Sequence, residues 1–117
     1  MSIQRFEAGP RMSQCVVHGD TVYTAGQVAQ GARGAAVAEQ TKDILATIDK
    51  LLHAAGTDKS KLLTANIWLA DMASFEEMNQ VWDAWVDSGN TPARATVQAQ
   101  LAHPDYKVEI MVSAARG

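Results

Sequence analysis

The clearest hydrophobic pattern in the chain runs over residues 37–55 and predicts an amphipathic helix. Apolar residues recur there every three or four positions, which places them on one side of a helix, and charged residues occupy most of the other side. Gly56 follows at the position where a left-handed backbone commonly ends a helix. The apolar stripe comprises Val37, Ile44, Leu45, Ile48, Leu51, Leu52 and Ala55.

A second helix is predicted to open at Ser74. Ser74 and Glu77 have the spacing of a capping box, in which each side chain accepts a hydrogen bond from the other residue's backbone N–H. The sequence Ser-Gly-Asn at residues 88–90, followed by Pro92, ends the helix. Its apolar stripe comprises Met78, Val81, Trp82, Trp85 and Val86, and we interpret the two tryptophans as core or interface aromatics.

Six short segments rich in β-branched residues predict strands. Gly19 and Asp20 separate the second segment from the third and favour a tight two-residue hairpin turn. Residues 62–72 show no helical stripe, so we interpret them as a strand buried on both faces. The predicted strands are residues 2–7, 13–18, 21–25, 62–72, 94–101 and 107–115.

The predicted order β-β-β-α-β-α-β-β indicates an α+β fold in which a six-stranded mixed sheet carries both helices on one face. Two helices are too few to cover both faces of such a sheet, so the other face must meet water or another subunit. No linker or repeat interrupts the sequence, and we treat residues 1–117 as one domain.

The last two strands are predicted to form a hairpin around residues 103–105. Side chains alternate between the faces of a strand, and joining the apolar residues of both strands under the helices leaves Arg94 and Glu109 on one shared face. Apart from Lys107, the other residues of that face are uncharged. A face of this composition favours a subunit interface or a pocket over a plainly solvated surface.

The same hairpin predicts that Arg94 and Glu109 are too far apart to share one small molecule within a chain. Glu109 would lie opposite Gln98 or Gln100, which is roughly 13–20 Å of strand away from Arg94. If both residues serve one site, the glutamate must come from a neighbouring subunit. The hypothesis that follows is a ring-shaped oligomer.

Composition excludes several classes of protein. The chain of 117 residues and 12.6 kDa has 10 Lys+Arg against 13 Asp+Glu and a net charge of −3, so we expect no nucleic-acid partner. One cysteine, Cys15, makes neither an internal disulfide nor a cysteine-rich metal site, and the three histidines lack metal-ligand spacing. The sequence has no membrane-spanning apolar run and no secretory signal at its start, and we expect a cytoplasmic protein.

Several motifs resemble the RidA/YjgF family of enamine/imine deaminases. They are Thr-Ala-Gly-Gln at residues 24–27, Phe75 with Met78-Asn79, Pro-Ala-Arg-Ala-Thr-Val at residues 92–97, and Val-Glu-Ile at residues 108–110. The resemblance covers essentially the whole chain. It implies a chorismate-mutase-like fold and a homotrimer, with a central β-barrel, outer helices and ligand clefts between subunits.

The resemblance also implies roles for particular residues. Arg94 would bind the carboxylate of a 2-imino or 2-aminoacrylate acid, and Glu109 would position or activate water. Ala25, Gly26, Thr96 and Asn79 would line the cleft, Ala25 standing where relatives commonly have serine and Thr96 where they often have cysteine. The implied reaction is hydrolysis of an unstable imine to a 2-keto acid and ammonia, with no metal and no cofactor.

Other interpretations remain open at this point. Arg94 could form a structural ion pair, and Glu109 could be a solvated strand residue or a partner across a trimer interface. The chain could also be a non-catalytic trimer that binds a carboxylate metabolite or regulates another protein. Ribonuclease activity, reported in the family, is disfavoured by the acidic composition.

Overall fold

A computed structural model describes residues 2–117 of the chain. It contains seven strands and two α-helices, with short 3-10 helices at Gln30–Ala32, Lys59–Lys61 and Met72–Ser74. The strands are β1 (Ile3–Ala8), β2 (Ser13–His18), β3 (Thr21–Thr24), β4 (Gln27–Val28), β5 (Leu62–Leu69), β6 (Ala93–Gln98) and β7 (Val108–Ala115), and the helices are α1 (Val37–Ala54) and α2 (Phe75–Trp85). The predicted order of elements is confirmed, and the short strand β4 is added to it.

All the strands form one mixed sheet in the order β1-β2-β3-β7-β5-β6, and β4 also pairs with β7. Strands β5 and β6 run parallel, whereas the other pairs are antiparallel. The predicted hairpin of the last two strands is therefore wrong. Residues 99–107 carry the chain across β5, so that β7 lies in the middle of the sheet and β6 at its edge.

The core lies between the helices and one face of the sheet, as predicted. The apolar stripe of α1 packs there against alternate residues of the central strands, and Cys15 is fully buried among them, as interpreted from the sequence. The α1 residues of this core are Val37, Ile44, Leu45, Ile48, Leu51 and Leu52. Within residues 2–117, no helix is long and apolar enough to cross a membrane.

The opposite face of the sheet carries no helix, and we call it the open face. It presents rows of aligned residues, among them Glu109, Trp68 and Val97, one each from β7, β5 and β6. Tyr23 and Val97 on this face are 50% and 49% exposed. The prediction that residues 62–72 are buried on both faces is thus wrong, because β5 buries one face fully and the open face only in part.

Two local predictions about turns are confirmed. Gly19 and Asp20 form a two-residue turn between β2 and β3, with φ of 63° at Gly19. Gly56 ends α1 with φ of 86°, and the N–H groups of Gly56 and Thr57 donate to the carbonyls of His53 and Leu52. Those two bonds form a Schellman motif, which satisfies carbonyl groups left free at the helix end.

The predicted capping box at the start of α2 is wrong. The side chain of Ser74 donates to the carbonyl of Asp71 instead of capping the helix. A 3-10 turn precedes the helix there, and Asp71 caps that turn by accepting from the N–H of Ala73. Glu77 accepts at 2.8 Å from the N–H of Ala38, so it caps α1, which has no side-chain cap of its own.

Candidate functional site

Arg94 lies on β6 with its side chain on the helix face of the sheet. The parallel register aligns it with Ala65 of β5, a buried residue of that face. Its Nη1 donates at 2.8 Å to Oδ1 of Asn79 on α2. The crossover from β5 through α2 to β6 therefore brings together two of the predicted site residues, Arg94 and Asn79.

Two aromatic rings flank the guanidinium of Arg94. Its Cζ lies 5.4 Å from the ring centroid of Trp82 and 5.9 Å from that of Phe75. Phe75, Asn79 and Trp82 follow one another at intervals of four and three residues, which places them on one side of α2. We call these three residues the α2 platform. It leaves Arg94 half-buried, and no carboxylate pairs with this arginine within residues 2–117.

Thr96 lies two residues after Arg94 on the same face of β6. Its Oγ1 is buried and has no hydrogen-bond partner among the residues that the structure describes. A buried hydroxyl without a partner is unfavourable. Arg94, Asn79 and Thr96 therefore form one half of the predicted site, which we call the cationic half.

Glu109 forms the other, acidic half together with Gly26. Its side chain is half-buried on the open face, where it aligns with Trp68 of β5 and Val28 of β4. Burial raises the pKa of the Glu109 carboxyl, because removing water disfavours the charged form. A Cβ on Gly26 would overlap Oε2 of Glu109, so only glycine leaves room for the carboxylate in this position.

Ala25 lies beside the acidic half, and its backbone is already satisfied. Its N–H donates at 2.9 Å to the carbonyl of Gln14, and its carbonyl accepts at 3.1 Å from Nε2 of Gln27. Gln27 also donates at 2.9 Å to Oε1 of Gln14. These bonds fix the bend between β3 and β4, and they engage the backbone N–H and carbonyl of Ala25. Ala25 therefore supports the shape of this bend and does not offer free hydrogen-bonding groups.

The prediction that Arg94 and Glu109 share one face of the sheet is wrong. Arg94 aligns with Ala65 on the helix face, whereas Glu109 aligns with Trp68 on the open face. Strand β5 lies between them, and with three residues of offset their Cα atoms are roughly 14 Å apart. The prediction failed because it assumed that β6 and β7 are paired, which reverses the assignment of faces along β6. The structure therefore brings each half together but keeps the two halves apart within one chain.

Sequence reasoning missed the residue that fixes the start of β7. Gln40 of α1 is fully buried, and its Nε2 donates at 2.7 Å to the carbonyl of Asp105. Its Oε1 accepts at 2.8 Å from the N–H of Lys107, two residues before Glu109. The signal in the sequence was a polar residue on the side of α1 that carries the apolar stripe. Gln40 anchors the loop that leads into the acidic half.

A surface cavity near β6 does not contain the predicted site. A cavity of about 580 Å³ lies beyond the end of this strand, lined by Gln98, Tyr106 and residues 99–104. Neither Arg94 nor Glu109 lines it. Among residues 2–117, no group of three or more His, Cys, Asp or Glu side chains is placed to hold a metal ion.

Similarity to known proteins extends over almost the whole chain. The family model described as Endoribonuclease L-PSP matches residues 2–116. A RutC family protein of Haemophilus influenzae is 47% identical over 114 residues, which cover 97% of this chain and 98% of that protein. A 2-iminobutanoate/2-iminopropanoate deaminase of Bos taurus is 33% identical over 110 residues, covering 90% and 80% respectively. A crystal structure of a YjgF family protein from Neisseria meningitidis matches with a TM-score of 0.96 at 44% identity, over 100% of this chain and 97% of that one.

Proposed function

Since this chain belongs to the RidA/YjgF family, we propose that it hydrolyses reactive 2-imino and 2-enamino acids to 2-keto acids and ammonia. The name of the Bos taurus relative supports this class of substrate. The substrates would be 2-iminopropanoate, its enamine form 2-aminoacrylate, and 2-iminobutanoate. Such compounds are released by pyridoxal-phosphate enzymes and amino-acid oxidases, and we expect this chain to remove them in the cytoplasm.

The half-buried guanidinium of Arg94 is the observation that carries the proposal. Among residues 2–117, only Asn79 engages the guanidinium, through Nη1, so the other N–H groups are free to bind an anion. A planar guanidinium suits the two oxygens of a carboxylate better than an ammonium does. Every substrate named above carries a carboxylate next to the C=N carbon, and binding it would fix the position of that carbon.

Glu109 is the proposed acid and base. The substrate would react as the protonated imine. The Glu109 carboxylate would accept a proton from water as the water oxygen bonds to the C=N carbon and the C=N π electrons move to nitrogen, which gives a carbinolamine. The same carboxyl would then return its proton to the nitrogen, the C–N bond would break to release ammonia, and the hydroxyl proton would pass to solvent as the ketone forms. A pKa raised toward neutrality suits a group that must both accept and donate a proton. The substrate is already reactive, so orientation and one such group would suffice.

The two halves would meet between copies of the chain. The sheet separates Arg94 from Glu109 in one copy, and we propose a homotrimer in which each cleft takes its cationic half from one subunit and its acidic half from the next. The open faces would line a central barrel, which would cover Tyr23 and Val97.

The experiment generates 2-aminoacrylate or 2-iminobutanoate in situ and follows keto-acid formation with and without the protein. We expect acceleration by the wild type and none by Arg94→Ala. Arg33→Ala is the matched control, because Arg33 is an exposed arginine that is paired with Asp105 and belongs to neither half. Full activity of Arg94→Ala would overturn the role of this residue.

Mixed oligomers test the arrangement between subunits. Arg94→Ala and Glu109→Gln are each expected to be inactive alone. When the two variants are co-assembled, a cleft that takes Arg94 from one and Glu109 from the other is intact, so activity should return. Lack of recovery in verified mixed oligomers would place the site within one subunit. A solution mass of three chains is expected, and a stable monomer would contradict the arrangement.

A non-catalytic carboxylate-binding or regulatory trimer is the second candidate. The observation that favours it is that the cationic half is complete within one chain, whereas the acidic half is not adjacent to it. Binding alone would need only Arg94 and its neighbours. Thermal stabilisation by 2-keto acids without any effect on imine hydrolysis would support this candidate over the enzyme.

A further inference from the structure

We propose that Trp82 is the positioning residue of the carboxylate anchor, holding the Arg94 guanidinium against its ring so that the edge of the guanidinium stays free for an anion. The inference rests on the proposed function in that it takes Arg94 as the residue that binds the substrate carboxylate. It adds what keeps this cation in place, which neither the motif containing Arg94 nor its strand pairing explains.

The first step is the charge balance around Arg94. A guanidinium that is half-buried loses hydration, and this loss has to be offset. Within residues 2–117 the offset includes one amide oxygen, from Asn79, and no carboxylate. A carboxylate partner would occupy the two-donor edge that a substrate carboxylate needs. An aromatic ring attracts the cation through its face and uses none of the N–H donors.

The second step is the rigidity of the ring. Trp82 is 5% exposed and packs against Trp85, with 5.4 Å between ring centroids and 50° between their planes. Trp85 is fixed in turn, because its Nε1 donates at 3.0 Å to Oδ2 of Asp49 on α1. A continuous series of contacts therefore runs from α1 through both tryptophans to Arg94. Phe75, at 5.9 Å from Cζ, is the more distant ring.

The third step is a comparison within α2 between Trp82 and its neighbour Trp85. Trp85 also lies under a cation, with Lys59 Nζ 5.3 Å from its ring centroid. The two tryptophans belong to the same helix and contact each other, yet only the cation over Trp82 belongs to the proposed site. Trp82→Leu and Trp85→Leu thus remove the same type of ring and the same type of cation contact, and they differ in which cation is released.

The test measures binding of 2-oxobutanoate by calorimetry and the position of the Arg94 Nε–H resonance by NMR in the full chain. Trp82→Leu should weaken binding by about tenfold and shift the resonance, because the ring face and its ring current are lost. Trp82→Phe should restore most of the affinity. Trp85→Leu should weaken binding less and shift the resonance less than Trp82→Leu, because it removes a ring that supports Trp82 but leaves the ring that faces Arg94 in place. If Trp82→Leu does not fold, Trp82→Met replaces it with the same expected loss, because the flexible methionine side chain fills more of the space and still removes the ring.

The outcomes separate this inference from the proposed function. Unchanged binding and an unchanged Arg94 resonance in Trp82→Leu would overturn the inference, as would equal losses in Trp82→Leu and Trp85→Leu. If the wild type fails to hydrolyse imines while the resonance and binding respond as expected, the enzyme proposal fails and the positioning role stands. The resonance requires no ligand, so it tests the role of Trp82 even if 2-oxobutanoate does not bind.

Discussion

The Glu109 carboxylate occupies the space that a Cβ on Gly26 would need, so a side chain at residue 26 would have to displace that carboxylate. Gly26 follows β3, whereas Glu109 belongs to β7, and the pairing of Val28 with Glu109 brings the two segments together. Gly26 does not have a positive φ, so space rather than backbone freedom explains the glycine.

Replacing Gly26 with alanine should displace the Glu109 carboxylate without unfolding the protein. We expect imine hydrolysis to fall by about 10- to 100-fold, since a shift of about 1 Å in a reacting group costs that much. Gly31→Ala is the matched control, because a Cβ there would displace the carboxylate of Asp43 instead. Full activity in Gly26→Ala, measured by keto-acid formation, would contradict the role of Glu109.

Burial of Glu109 predicts a pH-dependent cost to stability. In the unfolded chain the Glu109 carboxyl loses its proton near its ordinary pKa of 4.5. In the native protein the pKa of this carboxyl is raised, so it keeps the proton to higher pH. The free energy of unfolding therefore falls as pH rises through this interval. Glu109→Gln should be more stable than the wild type at pH 7, with the difference vanishing below pH 4.5.

Denaturant unfolding between pH 4 and pH 8 measures this difference. Glu76→Gln, which changes an exposed glutamate of α2, should follow the wild type at every pH. A stability difference for Glu109→Gln that is constant over this range would show that burial of the charge is not its cause.

Glu77 should stabilise the protein through a helix other than its own. Glu77→Ala removes the acceptor for the Ala38 N–H and should lower the free energy of unfolding by about 1 kcal/mol. Glu76→Ala is the control, because Glu76 lies in the same first turn of α2 and has the same charge. Denaturant unfolding measures both variants. Equal losses of stability would show that the effect comes from the dipole of α2 and not from the hydrogen bond between Ala38 and Glu77.

Elements set by local sequence were predictable, whereas pairing over long distances was not. The periodicity of α1, the turn at Gly19 and the cap at Gly56 each depend on a few consecutive residues, and all three are confirmed. The partner of β6 is different, because alternation along a strand does not identify the strand beside it. Parallel pairing with β5 placed Arg94 on the helix face and left Val97 49% exposed on the other.

The candidate site shows the same division. Asn79 was expected near the cleft from the resemblance, and its bond to Arg94 is consistent with that expectation. The contact of Trp82 with Arg94 was missed, because it requires β6 to return beside α2 rather than fold back on β7. The bond from Ala38 to Glu77 was missed for a related reason, since 39 positions separate the two residues.

The sheet also keeps the charges of Arg94 and Glu109 apart within one protomer. Were Arg94 and Glu109 in direct contact, they would form an ion pair, and the guanidinium edge would no longer be open to an anion. At roughly 14 Å in water their attraction is only about 0.3 kcal/mol. Within one protomer, the Arg94 guanidinium and the Glu109 carboxylate thus stay out of any ion pair with each other.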